Sequence, residues 1–260
     1  VTSIKLFDVL SEDAVYNLIG HCKECWDYTY PNSQALEEAS YRALAPFFKN
    51  CQHLGAANTI VDVLIDSNAL DIKGCKKLTH IGKTNESSNH IKNRFVEKIL
   101  PDGSKIIFKI PNQIETMVKR PKRDVNNWSG DPKGLVELCL KDYNDFAWST
   151  AKSAGCKNLY SLVVLYGESN GYRSIYVTLK EFSVPQIETA IQNSKKKYTG
   201  YDKNGNEVCL IKVISTGSIN IHKFFDTSEG VLHTYPVKNG VPKFFNKSDL
   251  LIDGPITNIK

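Results

Sequence analysis

The sequence predicts a mixed α/β fold, a central mixed β-sheet flanked by helices with a periphery rich in loops and hairpins. Helical spacing of apolar residues dominates the first fifty positions. Strand-like runs punctuated by turn residues take over from there to about residue 110 and return after about residue 158. One further capped helical pattern lies between the two strand-rich stretches. With 260 residues, 41% of them hydrophobic, the chain has the apolar sequence for a full core.

In order, "SEDAVYNLIGHCKECW" begins with a capping Ser11 and places Val15, Leu18, Ile19 and Cys22 on one helical stripe. After "YPNS", the segment "QALEEASYRALAPFFKN" predicts a second helix, with Leu36, Ala39, Ala43 and Phe47 on a stripe and Pro46 ending or kinking it. "NTIVDVLI", "ALDIKG", "RFVEKIL" and "KIIFKI" read as strands, the last two joined across "PDGS" as a hairpin. Residues 111–131, with several Pro and Gly and no steady period, predict a long loop holding one short element. Asp131-Pro132 then caps a helix that stops at Gly155. "SLVVLYG" and "RSIYVTLKEF" predict a hairpin turning at Asn170-Gly171, and Ser183 with Gln186 a capping box opening a helix through "PQIETAIQNSKKK". "TGYDKNGNEVCLIKVIST" predicts another hairpin, followed by an irregular stretch containing "HKFF" and "PKFF". No internal repeat, low-complexity tract or clean linker divides the chain, so one domain over 1–260 is expected.

No run approaches the length of apolar sequence that spans a bilayer, and "VTSIKLFDVLSED" lacks the marks of a secretory signal, so a cytoplasmic protein is expected. Seven scattered cysteines, an odd number, predict reduced thiols rather than a disulfide framework. A net charge of +5 is modest for the length, and its distribution says more than its size. Basic residues gather in "KGCKK" (73–77), "KRPKR" (119–123) and "SKKKY" (194–198).

The most informative stretch is "VDVLIDSNALDIKG", residues 61–74, where charged side chains interrupt two apolar strands. If these strands form an antiparallel hairpin turning at "DSN", residues whose numbers sum to about 133 or 134 lie opposite one another. Asp62 then faces Asp71 or Ile72. Alternation along the strand puts Asp71 and Lys73 on one face and Leu70 and Ile72 on the other. Two carboxylates so close repel, and each raises the pKa of the other. A hard divalent cation removes that conflict, and magnesium takes few protein carboxylates, keeping its other positions for water and phosphate. The neighbouring lysine is placed to position or deprotonate a water and to stabilise charge on an attacked phosphate. The chemistry implied is phosphodiester hydrolysis.

Asp62, then eight intervening residues, then Asp71-Ile72-Lys73 resembles the signature of the PD-(D/E)XK nuclease superfamily, and in its apolar flanks the type II restriction endonucleases. Val61 stands where the signature's proline would be. The resemblance implies a restriction-endonuclease-like sheet, Mg2+ as cofactor, double-stranded DNA as partner and a sequence-specific endonuclease activity. It implies Asp62 and Asp71 as metal ligands and Lys73 as the catalytic lysine. It also implies an acid from an upstream helix, for which "LEEASYRAL" offers Glu37 or Glu38. Glu37 is favoured because it leads a stripe with Tyr41, Leu44 and Phe48. Homodimers on palindromic sites are common in such enzymes, and the residues leave monomer or dimer open.

The catalytic core is then expected at about 30–110 and 132–182, with recognition elements at about 111–131 and 195–250. Lys119, Arg120, Lys122 and Arg123, with Asn126, Asn127 and Trp128 beside them, are the first candidates for DNA contact, because Arg matches guanine and Asn adenine in the major groove. Lys76, Lys77, Lys83 and Arg173 are second-rank phosphate contacts, and Lys195–Lys197 read as a basic helix end. The pair Cys22 and Cys25, with Cys51 and His53, lacks the two tight ligand pairs of structural zinc, and Cys22 belongs to a core stripe. Two other readings stand beside the restriction enzyme: a repair or junction-resolving nuclease of the same fold, and a nucleic-acid-binding protein without catalysis.

Overall fold

The computed structural model of the protein describes residues 6–28, 33–54, 60–77, 79–80, 94–99, 103–110, 113–119, 130–169, 171–214, 218–224 and 230–237. A short helix α1 (Leu6–Val9) precedes α2 (Glu12–Tyr28), whose first turn is capped by Ser11, its Oγ accepting from the Ala14 amide at 3.2 Å. Helix α3 (Ser33–Leu44) runs into a 3-10 turn over Ala45–Phe47, where Pro46 removes a helical donor. The buried side of α3 carries Leu36, Ser40, Ala43 and Leu44. Asn17 ties the two helices together by donating to the Ala43 carbonyl at 2.7 Å.

The strands that follow are β1 (Cys51–His53), β2 (Val63–Ile65), β3 (Asn68–Lys77), β4 (Thr79–His80), β5 (Arg94–Ile99), β6 (Lys105–Ile110) and β7 (Gln113–Lys119). After α4 (Pro132–Ser153) come β8 (Asn158–Ser169), β9 (Tyr172–Glu181), β10 (Thr189–Ser194), β11 (Lys197–Tyr201), β12 (Glu207–Val213), β13 (Ser218–Phe224) and β14 (Val231–Pro236). They form a six-stranded sheet in the order β1-β2-β3-β8-β9-β14, a five-stranded sheet β10-β11-β12-β13-β7, and a three-stranded sheet β4-β6-β5. The six-stranded sheet is mixed, because β3 pairs β8 in parallel while its other pairings are antiparallel. Helix α4 is the crossover region's long element, and its N-cap is Asp131, which accepts from the Gly134 amide at 2.9 Å with Pro132 in the first turn.

Two apolar layers hold this arrangement. On one face of the six-stranded sheet, Leu70, Ile72, Leu162, Val164, Ile175 and Val177 pack under α2 and α3. On the other face, Ala69 and Leu159 meet Leu135, Val136, Cys139, Tyr143 and Ala147 of α4, whose far side is covered by Tyr198, Cys209, Ile211 and Ile221 of the five-stranded sheet. Helix α4 is therefore a filling between two sheets. Each fully buried aliphatic side chain here contributes about 1.5–3 kcal/mol of transfer free energy. Among the described residues no helix is long and apolar enough to cross a membrane.

Two expected elements take a different form. Within the predicted loop 111–131, Gln113–Lys119 is strand β7, paired antiparallel with β13 from Gln113↔Phe224 to Lys119↔Ser218. Its partner lies far downstream, so nothing local in the sequence announces the pairing. The predicted helix after Ser183 is instead irregular to Glu188 and then strand β10, joined to β11 through a two-residue turn at Lys195-Lys196. There the hairpin's ladder and the packing of Ile187 and Ala190 against the α4 layer override a local capping signal. The lysines 195–197 thus mark a hairpin turn, not a helix end. The stripe predicted through Ala39 is rotated slightly, with Ser40 taking the buried place.

Candidate active site

The β2–β3 hairpin turns at Asp66-Ser67, where Asp66 adopts φ 48°, a left-handed conformation that Asp tolerates better than most residues. Asp66 is held there by Asn50, whose amide donates to Asp66 Oδ1 at 2.9 Å and whose carbonyl accepts the Asp66 amide at 2.7 Å. This turn sets the register Val63↔Leu70, Leu64↔Ala69, Ile65↔Asn68. Every pair sums to 133. Asp62 lies just before β2, where the pairing with β3 slips by one residue: its amide donates to Leu70 O at 2.8 Å although Leu70 is already the partner of Val63, so the expected Asp62–Asp71 register gives way to a bulge-like step. Toward β1 the Asp62 carbonyl accepts from the Leu54 amide at 2.9 Å.

The Asp62 side chain folds back onto β3, and its Oδ2 accepts from the Ile72 amide at 2.6 Å. Asp71 is fully buried, its Oδ1 ion-paired with Lys73 Nζ and its Oδ2 accepting from the Tyr143 hydroxyl of α4 at 3.3 Å. On the adjacent parallel strand β8, Ser161 stands in register with Asp71; its buried Oγ has no hydrogen-bond partner among the described residues. Lys73 keeps its side chain 20% exposed, the most open of the three groups. Two acids and an amine therefore meet at one edge of the hairpin, with Asp71 against α4.

The electrostatics follow from that crowding. Burial first, and then the Asp71 and Glu37 carboxylates, push the Asp62 carboxyl from its ordinary 3.8 up to about 8, against the pull of Lys73 and the Ile72 amide. For Lys73, burial acts to lower the pKa, but Asp71 and Asp62 more than offset it, so the ammonium is held protonated. Glu37 enters from α3, its carboxyl raised by burial while Lys73 and His53 pull it back. Glu38, one residue on, faces elsewhere: it pairs with Arg42 at 2.8 Å and with His53 Nδ1 at 3.6 Å. Of the two candidate helical glutamates, Glu37 is the one that shares a field with Asp62, Asp71 and Lys73. Helix α3 comes this close because Gly74 has no side chain; a Cβ there would sit 1.8 Å from Leu36 Cδ2.

No family model, curated protein or solved structure matches this chain.

Among the described residues, no group of three or more His, Cys, Asp or Glu side chains is arranged to hold a metal ion. The donor set of Asp62 and Asp71 nevertheless fits a magnesium-like cation, which uses one or two carboxylates and completes its shell with water and phosphate oxygens.

The sequence did not single out Tyr143 or Lys223. Lys223, on β13, is 4% exposed, donates to the Ser183 carbonyl at 2.9 Å, and lies 4.0 Å from the Phe182 ring centroid and 5.4 Å from that of Tyr143. Burial lowers its pKa to about 8, with Asp71 opposing and Lys73 adding to that effect. Both residues reach the site from elements distant in sequence. Only the buried position of Tyr143 on the α4 stripe was a local sign.

The expected DNA contacts divide by where they fall. Arg120, Lys122, Arg123, Asn126, Asn127, Trp128 and Lys83 lie outside the described residues. Lys119 ends β7, and Lys76 and Lys77 close β3, which carries their backbone on from Lys73. Arg173 is committed elsewhere: its guanidinium pairs with Asp27 at 2.7 Å and Glu168 at 3.0 Å and lies 5.3 Å from the Trp26 ring centroid. That network joins β9 to α2 and leaves Arg173 a structural cation rather than a free phosphate contact. Cys22 and Cys25 are buried, and Cys22 lies in the apolar layer under α2 and α3.

Proposed function

We propose that the protein is a magnesium-dependent, sequence-specific endonuclease that hydrolyses phosphodiester bonds in double-stranded DNA, a restriction enzyme of type II with a restriction-endonuclease-like core. The observation that carries this reading is the convergence of two acids and an amine on β3: the Ile72 amide draws the Asp62 carboxylate onto the strand that carries Asp71, and Lys73 is ion-paired with Asp71. The mixed sheet with β3 at its centre and a helical glutamate, Glu37, in the same field supports it further.

On this reading Asp62 and Asp71 hold the cation, which supplies Lewis-acid stabilisation of charge on the attacked phosphate. The Ile72 amide and the Tyr143 hydroxyl fix the two carboxylates. Lys73, held protonated by its acidic neighbours, orients the attacking water and donates toward the phosphate oxygen where negative charge builds. Glu37 adds a further acid at the edge of the site. Basic residues from 119 onward, and Lys76 and Lys77 beyond Lys73 on β3, neutralise the DNA backbone. The working compartment is the cytoplasm, and a two-fold symmetric target would be served by a homodimer.

Incubation of the full chain with long duplex DNA, with and without Mg2+, tests the reading. Discrete fragments that appear only with Mg2+ are expected. Structure-selective nicking of branched DNA without discrete duplex fragments would favour the repair or junction-resolving alternative, and binding with intact DNA under all conditions would favour the non-catalytic one.

A further inference from the structure

The buried face of Asp71 is organised from outside its own hairpin. Its Oδ2 accepts from Tyr143 at 3.3 Å, and Tyr143 is 1% exposed, its ring tilted against Phe182 at 5.1 Å between centroids. Lys223 Nζ lies over the same ring. A ring packed on these sides cannot swing, so its hydroxyl stands at a fixed point. The bond from Tyr143 to Asp71 links α4 to the six-stranded sheet.

A phenylalanine would fill this space equally well and would avoid burying a hydroxyl, which costs roughly 1–3 kcal/mol when it lacks a partner. The hydroxyl matters, then, for what it holds. A carboxylate that ligates a cation works best when a hydrogen bond from a neighbour fixes its plane before the cation arrives. Lys73 sits on the other oxygen, so Asp71 is gripped from both sides by groups on different elements.

We propose that Tyr143 is the positioning residue of Asp71, its hydroxyl setting the carboxylate's orientation for a divalent cation. This rests on the reading of Asp71 as a cation ligand. Helix α4 thereby acts on the acid through one buried hydroxyl.

The test is Mn2+ binding to the DNA-free full chain by titration calorimetry, with thermal denaturation of each variant alongside. The variants are Tyr143→Phe, which keeps the ring and loses the hydroxyl, the packing control Phe182→Leu, which keeps the hydroxyl and loosens the ring's contact, and the control Asp71→Asn. Tyr143→Phe is expected to bind Mn2+ roughly 10–100-fold more weakly while still unfolding cooperatively. Phe182→Leu should lose more thermal stability than Tyr143→Phe and bind Mn2+ more tightly than it does. A packing role predicts the reverse order of affinities, and that order, or wild-type affinity in Tyr143→Phe, overturns the proposal. If wild type binds no Mn2+, or Asp71→Asn binds it equally well, the reading of Asp71 as a ligand falls and the proposal falls with it.

Discussion

The Ile72 amide donates to Asp62 Oδ2 at 2.6 Å, so the first acid of the hairpin is anchored on the strand that carries the second. That bond holds a carboxylate in a buried place, and burial first, with the Asp71 and Glu37 charges adding to it, raises the Asp62 pKa to about 8. An acid whose folded pKa is raised binds its proton more tightly in the folded state. Its stabilising contribution is complete below about pH 4 and is lost as pH rises through about 8. Asp62→Asn keeps an oxygen for the Ile72 amide and removes the charge. In metal-free buffer, urea denaturation should find Asp62→Asn more stable than wild type at pH 8.5, by roughly 1–3 kcal/mol, with the gap closing toward pH 5. Equal stability of the two proteins across that range would contradict this account of the Asp62 charge.

Glu37 and Glu38 are adjacent in sequence and separate in role. Glu38 is tied to Arg42 and His53, whereas Glu37 shares the field of Lys73 and Asp71. Glu37→Gln should slow DNA cleavage roughly 10–100-fold. Glu38→Gln should leave the rate within about 2-fold and lower stability by about 0.3–0.5 kcal/mol, as for an exposed helical pair. Single-turnover rates on one DNA substrate compare the two, and a slower Glu38→Gln would reverse the assignment.

Arg173 should behave as a structural residue. Its removal leaves the half-buried Asp27 with Lys23 at 3.7 Å and Tyr235 at 3.3 Å as remaining partners. Arg173→Met is expected to lose roughly 1–3 kcal/mol of stability in urea denaturation. Its DNA affinity in metal-free buffer, and the slope of that affinity with salt, should stay at wild-type values. A shallower salt slope would return Arg173 to the phosphate contacts.

What the sequence made legible was local. The β2–β3 hairpin and the shared face of Asp71 and Lys73 were readable because the period of a strand and the length of a turn fix which side chains meet, and the observed pairs sum to 133 from Ile65 to Val63. The slip at Asp62, whose amide bonds to Leu70 O and whose carboxylate reaches the Ile72 amide, was not. The helices over α2 and α4 were readable from Ser11 and Asp131, whose caps form as expected. Strands β7 and β10 were hidden because their stability comes from partners remote in sequence or from packing on α4, which outweighs local propensity. Lys223 was hidden for the same reason. Its place beside Tyr143 depends on a second sheet closing over α4, and no spacing along the chain encodes it.

Single-turnover cleavage of a long duplex DNA in Mg2+ by wild type, Asp71→Asn and Lys73→Ala, with DNA affinity measured separately without metal, tests the acid pair and its lysine most directly. Both variants should bind DNA as wild type does and cleave it at least roughly 100-fold more slowly. Cleavage by Asp71→Asn at the wild-type rate would contradict the account at its centre.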